Sequence, residues 1–397
     1  MNKNIEKLVK IASKERRMIV GLMSGTSMDG LDVAMCEISG NGLGTKMKLV
    51  AFETVSYTAE IKNKISEVFA KHTVDFEKLC ILNPWIGTLH GKMVISCLEN
   101  WKVHPQEVDL IASHGQTVYH SPAFLHPDEN INATLQIGDG DHVAVASGII
   151  TISDFRQKHI AKGGEGAPLA VYGDFLLLSD KLEDRILLNV GGIANFTYLP
   201  RGQDAQQVFV TDTGPGNTLI DQVIKRHCPG EFFDKDAQRG LAGAVNTALL
   251  EKLKSDPFFS MAFPKTTGPE LFNLDYLEKA QRLSDSEGIS LNDIIATLTR
   301  FSAETIAEAI LKTSHSKSFN LYLSGGGAHN PLLMRWIHEI LQIDTIKSTT
   351  DLGVDGDAKE AVLFAILANE SIAGRTVNFG ERAKIPSVCM GKISFPD

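Results

Sequence analysis

The stretch Met18–Glu37, MIVGLMSGTSMDGLDVAMCE, most constrains what this chain can fold into. A short apolar run enters a turn of small hydrogen-bonding residues and resumes as alternating apolar and polar residues, the pattern of a β-hairpin. Gly25 and Gly30 permit positive φ and close approach of a ligand to the backbone. Thr26 and Ser27 add hydroxyls, Met28 and Leu31 flank the bend, and successive amides in such a turn can form an anion-binding nest. An acidic residue there would repel phosphate unless a cation lay between them, so Asp29 and Asp32 point to a nucleotide with Mg2+. Taken alone, the same residues also suit an ordinary tight turn.

The layout repeats. Arg185–Val190 (RILLNV) reads as a buried strand that reaches Gly191-Gly192-Ile193-Ala194-Asn195 and continues through Phe196–Leu199. Strand Gln207–Thr211 then leads into Asp212-Thr213-Gly214-Pro215-Gly216-Asn217, and a helix from Thr218 aims its N-terminus at that spot, which favours negative charge. Strand Phe319–Leu323 enters Ser324-Gly325-Gly326-Gly327-Ala328-His329-Asn330. Earlier, Val108–Ala112 runs into Ser113-His114-Gly115-Gln116-Thr117, and Ile149–Ser153 runs into Asp154-Phe155-Arg156. Polar groups just past a strand's C-terminal end are where α/β sheets place ligands. A histidine such as His114 could equally be bonded to backbone there.

At 397 residues the chain exceeds one typical core, so two domains are expected. A net charge of −9 argues against nucleic acid or an anionic membrane as main partner, while leaving room for a local basic pocket. No apolar run is long enough for a membrane span, and the basic N-terminus lacks an apolar signal core. Five scattered cysteines without a paired motif read as reduced thiols of a cytoplasmic protein.

Several motifs stand in order: GLMSGTSMDGLD, SHGQT, LQIGD, DFR, GGEGAPL, LNVGGIAN, DTGPGN, LSGGGAHN and DAKEA. The four glycine turns resemble the duplicated nucleotide-binding fold of the sugar kinase and actin-like ATPase superfamily. Within it, the ordered motifs resemble the anhydro-N-acetylmuramic acid kinase family. The resemblance implies an α/β protein of two related ribonuclease H-like domains with ATP in the cleft between them. The expected division is an N-terminal extension 1–17, a first domain 18–166 and a second domain 167–397, with the last ~20 residues free to pack back on the first.

In that family, ATP and water convert 1,6-anhydro-N-acetylmuramic acid to N-acetylmuramic acid 6-phosphate and ADP during cell-wall recycling. The resemblance gives the first phosphate turn to Gly25 through Asp32, the second to Gly191, Gly192 and Asn195, and the adenosine site to Gly325, Gly326 and Gly327. It makes Asp212 the base for water, Asp29 a contact to Mg2+, and His114, Asp154, Arg156, Gly214 and Glu360 the sugar pocket. It also implies a homodimer. Each role has a plainer counterpart: Asp212 suits a turn or helix cap, Glu360 an exposed helical pair with Lys359, and the glycines a helix-entry bend. A kinase of an ordinary sugar hydroxyl and a nucleotide-switched binding protein are the rival readings of the fold.

Overall fold

In a computed structural model of the chain, residues 2–126, 128–313, 318–343, 345–353, 356–382 and 385–397 are described. The strands, in chain order, are β1 (Arg16–Ser24), β2 (Gly30–Ser39), β3 (Lys46–Ser56), β4 (Leu110–Ser121), β5 (Ala133–Ile137) and β6 (Thr151–Ser153). They continue as β7 (Asp184–Val190), β8 (Ile193–Leu199), β9 (Phe209–Pro215), β10 (Phe319–Ser324), β11 (Lys347–Ser348) and β12 (Lys392–Ser394). The chain divides into two compact units, Met1–Leu178 with Gly353–Asp397, and Ser179–Leu352.

The first unit carries the order β12-β6-β4-β1-β2-β3, with β5 added to β4. Strands β1, β2 and β3 pair antiparallel, β4 pairs in parallel with β1, and β6 in parallel with β4. The second unit carries β11-β10-β7-β8-β9, again three antiparallel strands followed by two parallel ones. The two sheets thus share one topology. This is the duplicated α/β layout of the sugar kinase and actin-like ATPase fold, with a hairpin opening each unit as the sequence pattern requires.

Each unit buries its own core. Val20, Leu22, Leu31 and Val33 of the first hairpin pack with Ile86 and Val94 of the helix Phe76–Asn100. In the second, Ile186, Leu188 and Phe196 pack with Ile306 and Ile310 of the helix Leu291–Thr313. Alternation along β2 and β8, and helical spacing along both helices, supply these faces.

The division falls after Leu178, where the sequence pattern had placed it after Gly166, and the C-terminal helix Lys359–Ala373 lies in the first unit. The reason is packing. A Cβ at Gly21 of β1 would collide with the Ala361 carbonyl oxygen, so only glycine lets that helix lie directly on the sheet. Gly173, in the helix Ala170–Leu178, leaves room for Leu363, and Lys359 pairs with the buried Asp174 at 2.9 Å. Farther along, buried Arg17 donates from Nε to Asn369 Oδ1 at 2.7 Å, and Gly42 N–H donates to the Glu370 carboxylate at 3.0 Å. Strand β12 closes the return by pairing with β6.

Two local expectations change. Ser113–Thr117 lie inside β4 and not beyond it, because β4 leaves its parallel ladder with β1 and continues antiparallel with β5. Gly115, at φ +78°, marks the switch, and a Cβ there would meet Ile137 O. Asp212 likewise lies within β9, opposite Asn195 of β8. Pro84 sits within the continuous helix Phe76–Asn100, and the N-terminal extension forms a helix, Lys3–Ser13, capped by Asn2.

The Gly21 contact is testable. Gly21→Ala should lower the unfolding free energy by about 1–3 kcal/mol through overpacking against a backbone that cannot swing aside. The denaturant midpoint measures it; an unchanged midpoint would show that the helix can lift off without loss.

Candidate active site

The first turn is built for approach from outside. Thr26, Ser27 and Asp29 are exposed, and a Cβ at Gly25 would meet Ser27 Oγ at an ordinary 3.8 Å. Met28 adopts φ +54° and its N–H reaches Gly25 O at 3.4 Å, while Ser27 Oγ donates to Asp29 Oδ1 at 2.7 Å. Gly30 has no room for a side chain, because a Cβ would strike Val55 O of β3. Behind the turn, Asp32 accepts from Thr54 Oγ1 at 2.6 Å.

A concavity of about 280 Å³ opens here, lined by Gly25, Ser27, Asp29, Asp32, Asp357 and Glu360 among others. Glu360 reaches it because the helix Lys359–Ala373 is seated on β1. Burial raises the pKa of Asp32, with Thr54 opposing and Asp29 adding to the rise. Glu360 keeps an accessible surface, yet protein surrounds it on most sides. That desolvation raises its pKa; Arg156 opposes the rise and Asp32 adds to it.

Arg156 is held by two acceptors. Its Nε donates to His114 Nε2 at 2.9 Å and its Nη1 to Gly166 O at 2.8 Å. Since an arginine only donates, His114 Nε2 must be the bare nitrogen, and its Nδ1–H donates to Gly115 O at 2.9 Å. Burial, then Arg156, lowers the His114 pKa to about 3. His114 therefore orients Arg156 with both ring nitrogens engaged. Asp154, at φ +55°, pairs with Lys392 of β12. His159 Nδ1 accepts the Gly166 N–H at 3.0 Å, and Gly164 passes so close to that ring that no Cβ would fit.

In the second unit, the parallel pairing of β7 with β10 sets Asn189 beside Ser324 and brings two glycine turns together. Gly325, at φ +87°, sits against Asn189 and Val190, and Gly327 against the Val190 side chain. The helix Thr218–His227 begins beside the Gly191–Gly192 turn, but its first donors are occupied. Gly216 and Thr218 N–H bond to Gly192 O, and Asn217 N–H to Gly191 O, at 2.8–3.0 Å. These three amides are thus not open to an anion, so the helix from Thr218 would act on one through its dipole and its later amides. Asp212 is fixed by the segment after Pro264: its N–H donates to Lys265 O at 2.9 Å, and its Oδ2 accepts Thr267 N–H at 2.8 Å. Gly214, at φ +138°, has its side-chain direction filled by Phe259, so only its backbone could meet a ligand.

A sequence profile described as Anhydro-N-acetylmuramic acid kinase matches residues 17–387. The chain belongs to the anhydro-N-acetylmuramic acid kinase family. A relative of that name from Pseudoalteromonas atlantica is 55% identical over 100% of both chains. Another, from Caldanaerobacter subterraneus, is 40% identical over 98% of this chain and all of its own. Among solved structures, the activator of the 2-hydroxyisocaproyl-CoA dehydratase from Clostridium difficile aligns at TM-score 0.41 and 11% identity, covering 89% of this chain and 95% of its own. A ROK family glucokinase from Streptomyces griseus aligns at 0.33 and 11%, covering 88% and 97%. The fold assignment rests on strand order and not on these low scores. The chain is a kinase of this family, and its first unit brings the hairpin, Arg156, His114 and Glu360 of the expected site into one neighbourhood. Asp357, the first residue of DAKEA, also belongs to that neighbourhood, as do Thr54, Tyr57 and His90, which no motif singled out.

Histidines of this unit give a pH signature. Burial lowers the pKa of His159 to about 4, against 6.5 for an ordinary histidine. Between those values the unfolded chain binds a proton that the folded chain refuses, so stability falls as pH drops through 6.5 toward 4, by roughly 1.4 kcal/mol per unit of depression. Asp32 and Glu360, raised, act in the opposite sense, so the effect is read by difference. His159→Asn keeps an acceptor for Gly166 and cannot titrate; its melting temperature should fall less than that of the parent between pH 6.5 and 4. Parallel curves would mean that His159 takes up its proton in the folded state.

Proposed function

We propose that this kinase uses ATP and water to convert 1,6-anhydro-N-acetylmuramic acid into N-acetylmuramic acid 6-phosphate and ADP. The reaction serves peptidoglycan recycling and amino-sugar catabolism. The observation that carries the reading is the family match across residues 17–387, with 55% identity to a curated relative over full length. The geometry supports it at each chemical requirement.

In the anhydro-sugar O6 is tied to C1. Asp212 takes a proton from water as the water oxygen bonds to C1, the C1–O6 bond breaks, and O6 bonds to the γ-phosphorus, releasing ADP. Asp212 suits this role because Thr267 N–H fixes one carboxylate oxygen and so aims the group. Arg156 receives the lactyl carboxylate: it is half-buried, and two of its donors are already spent on positioning it, which leaves the rest of the fork for an anion. Glu360 meets sugar hydroxyls, and His114 acts through Arg156. Asp154 sits at the rim through its pair with Lys392, and Gly214 contributes backbone alone.

The triphosphate lies against Gly25–Asp32 and Gly191, Gly192 and Asn195, with the adenosine against Gly325–Gly327. Among the described residues no group of three or more ligating side chains forms a dedicated metal site. That suits Mg2+, which is bound through one or two carboxylates plus substrate phosphates. Asp29 and Asp32 supply hard oxygen donors of the right kind, Asp29 directly or through water. The ion when bound neutralises phosphate charge. The enzyme works as a cytoplasmic homodimer; among the described residues no helix is long and apolar enough to cross a membrane.

Two measurements test this. Asp212→Asn should bind ATP normally and lose turnover by about 10²–10⁴-fold, since shape is kept and the base removed; near-normal turnover would exclude Asp212 as the base. In ¹⁸O-labelled water, the label should appear on C1 of the product. Label on the phosphate, or phosphorylation of a free hexose in place of the anhydro-sugar, would overturn the reaction proposed.

A further inference from the structure

Behind the first turn lies a buried polar chain whose direction can be worked out from donor counts. Gln116 Nε2 faces two carbonyls, Gly25 O at 3.2 Å and Thr117 O at 3.1 Å, which fixes the amide with its oxygen toward Ser24. Ser24 Oγ, with one proton, faces two oxygens that can only accept, Gln116 Oε1 at 2.6 Å and Gly30 O at 3.2 Å, and donates to the nearer. The 2.8 Å contact between Ser24 Oγ and the Tyr57 hydroxyl then needs its proton from Tyr57. Tyr57, its proton spent, can only accept from His90 Nε2 at 2.7 Å. His90 Nδ1 is left bare, and among the described residues it has no partner.

The opposite direction fails. If Tyr57 donated to His90, two oxygens would face each other at 2.8 Å without a proton, and His90 would bury an unsatisfied N–H. An unmatched donor costs about 1–3 kcal/mol in such a place. Ser24, Gln116 and His90 are fully buried and Tyr57 almost so. Burial also lowers the His90 pKa to about 4, which keeps the ring neutral and the order of donors single.

Tyr57 grips the turn twice, since its backbone N–H donates to Asp29 O at 2.9 Å. The helix carrying His90 is seated against the segment Asp139–Ala146 by Gly87 and Gly91, where a Cβ would strike Asp139 O and Ala146, and this fixes its position. We propose that His90 and Tyr57 are positioning residues for the nucleotide: a one-way chain, His90 Nε2 to Tyr57 to Ser24 to Gln116, clamps the turn Gly25–Asp29 in its phosphate-receiving shape. The inference rests on the nucleotide role proposed for that turn. It adds a specific requirement, that position 90 must supply a donor.

Steady-state kinetics with ATP and the anhydro-sugar test it, using His90→Leu, His90→Gln and Tyr57→Phe. Glutamine places an amide N–H near the position of Nε2, whereas leucine only fills volume. His90→Leu and Tyr57→Phe should raise the KM for ATP about five- to tenfold, with the KM for the sugar unchanged, as for one lost buried hydrogen bond. His90→Gln should restore most of that loss. A KM for ATP that stays at the parent value, a rise in both KM values together, or a glutamine variant no better than leucine would each overturn the chain. Calorimetric titration with ATP alone separates this from the reaction: if the parent binds ATP but leaves the sugar untouched, the reaction proposed above fails while the binding differences still decide the chain. Should His90→Leu fail to fold, Tyr57→Phe carries the same comparison.

Discussion

The contact on which the first unit depends is the one between Gly21 and Ala361. With no side chain at position 21, the backbone of the helix Lys359–Ala373 lies directly against β1. A segment from the far end of the chain thereby becomes part of the hairpin's surroundings, and Asp357 and Glu360 come to line the same concavity as Asp29 and Asp32. The clamp formed by Arg17, Asn369, Gly42 and Glu370 holds the other end of that helix, so the seating has two fixed points.

The electrostatics of this neighbourhood follow from that seating. Four carboxylates share one open concavity, and partial burial, then repulsion from their neighbours, raises the pKa of Asp32 and Glu360. Arg156 offsets this from the side of β6, and it can do so because His114 and Gly166 immobilise its fork. An arginine so constrained loses little freedom on meeting an anion, which is the advantage of a preorganised guanidinium over a mobile lysine. The surplus of negative charge on the hairpin side, beside the fixed Arg156, suits a ligand that arrives with a cation.

How much of this was legible in the sequence varies with the range of the interaction involved. The hairpin Met18–Glu37 and its echo at Arg185–Leu199 were readable because strand periodicity and turn residues are local. The order of motifs then identified the family. The ends of β4 and β9 were misplaced for the complementary reason: Ser113–Thr117 and Asp212 look like loop residues, and only pairing with β5 and β8 keeps them in strands. Likewise the approach to the helix from Thr218 has the composition of an anion site, but the carbonyls of the Gly191–Gly192 turn between β7 and β8 already take the amides of Gly216, Asn217 and Thr218.

The sequence by itself determined the two sheets, the glycine turns and the residue types needed for phosphoryl transfer, because these are written in short-range pattern. Only the tertiary structure decided which carboxylates gather at the first turn, that His114 serves Arg156 with both nitrogens engaged, and that Tyr57 and His90 stand behind Ser24. Those facts depend on packing between segments tens to hundreds of residues apart, from Tyr57 with His90 to Gly21 with Ala361, and on counting which buried donors have acceptors within reach. Neither leaves a periodic trace along the chain.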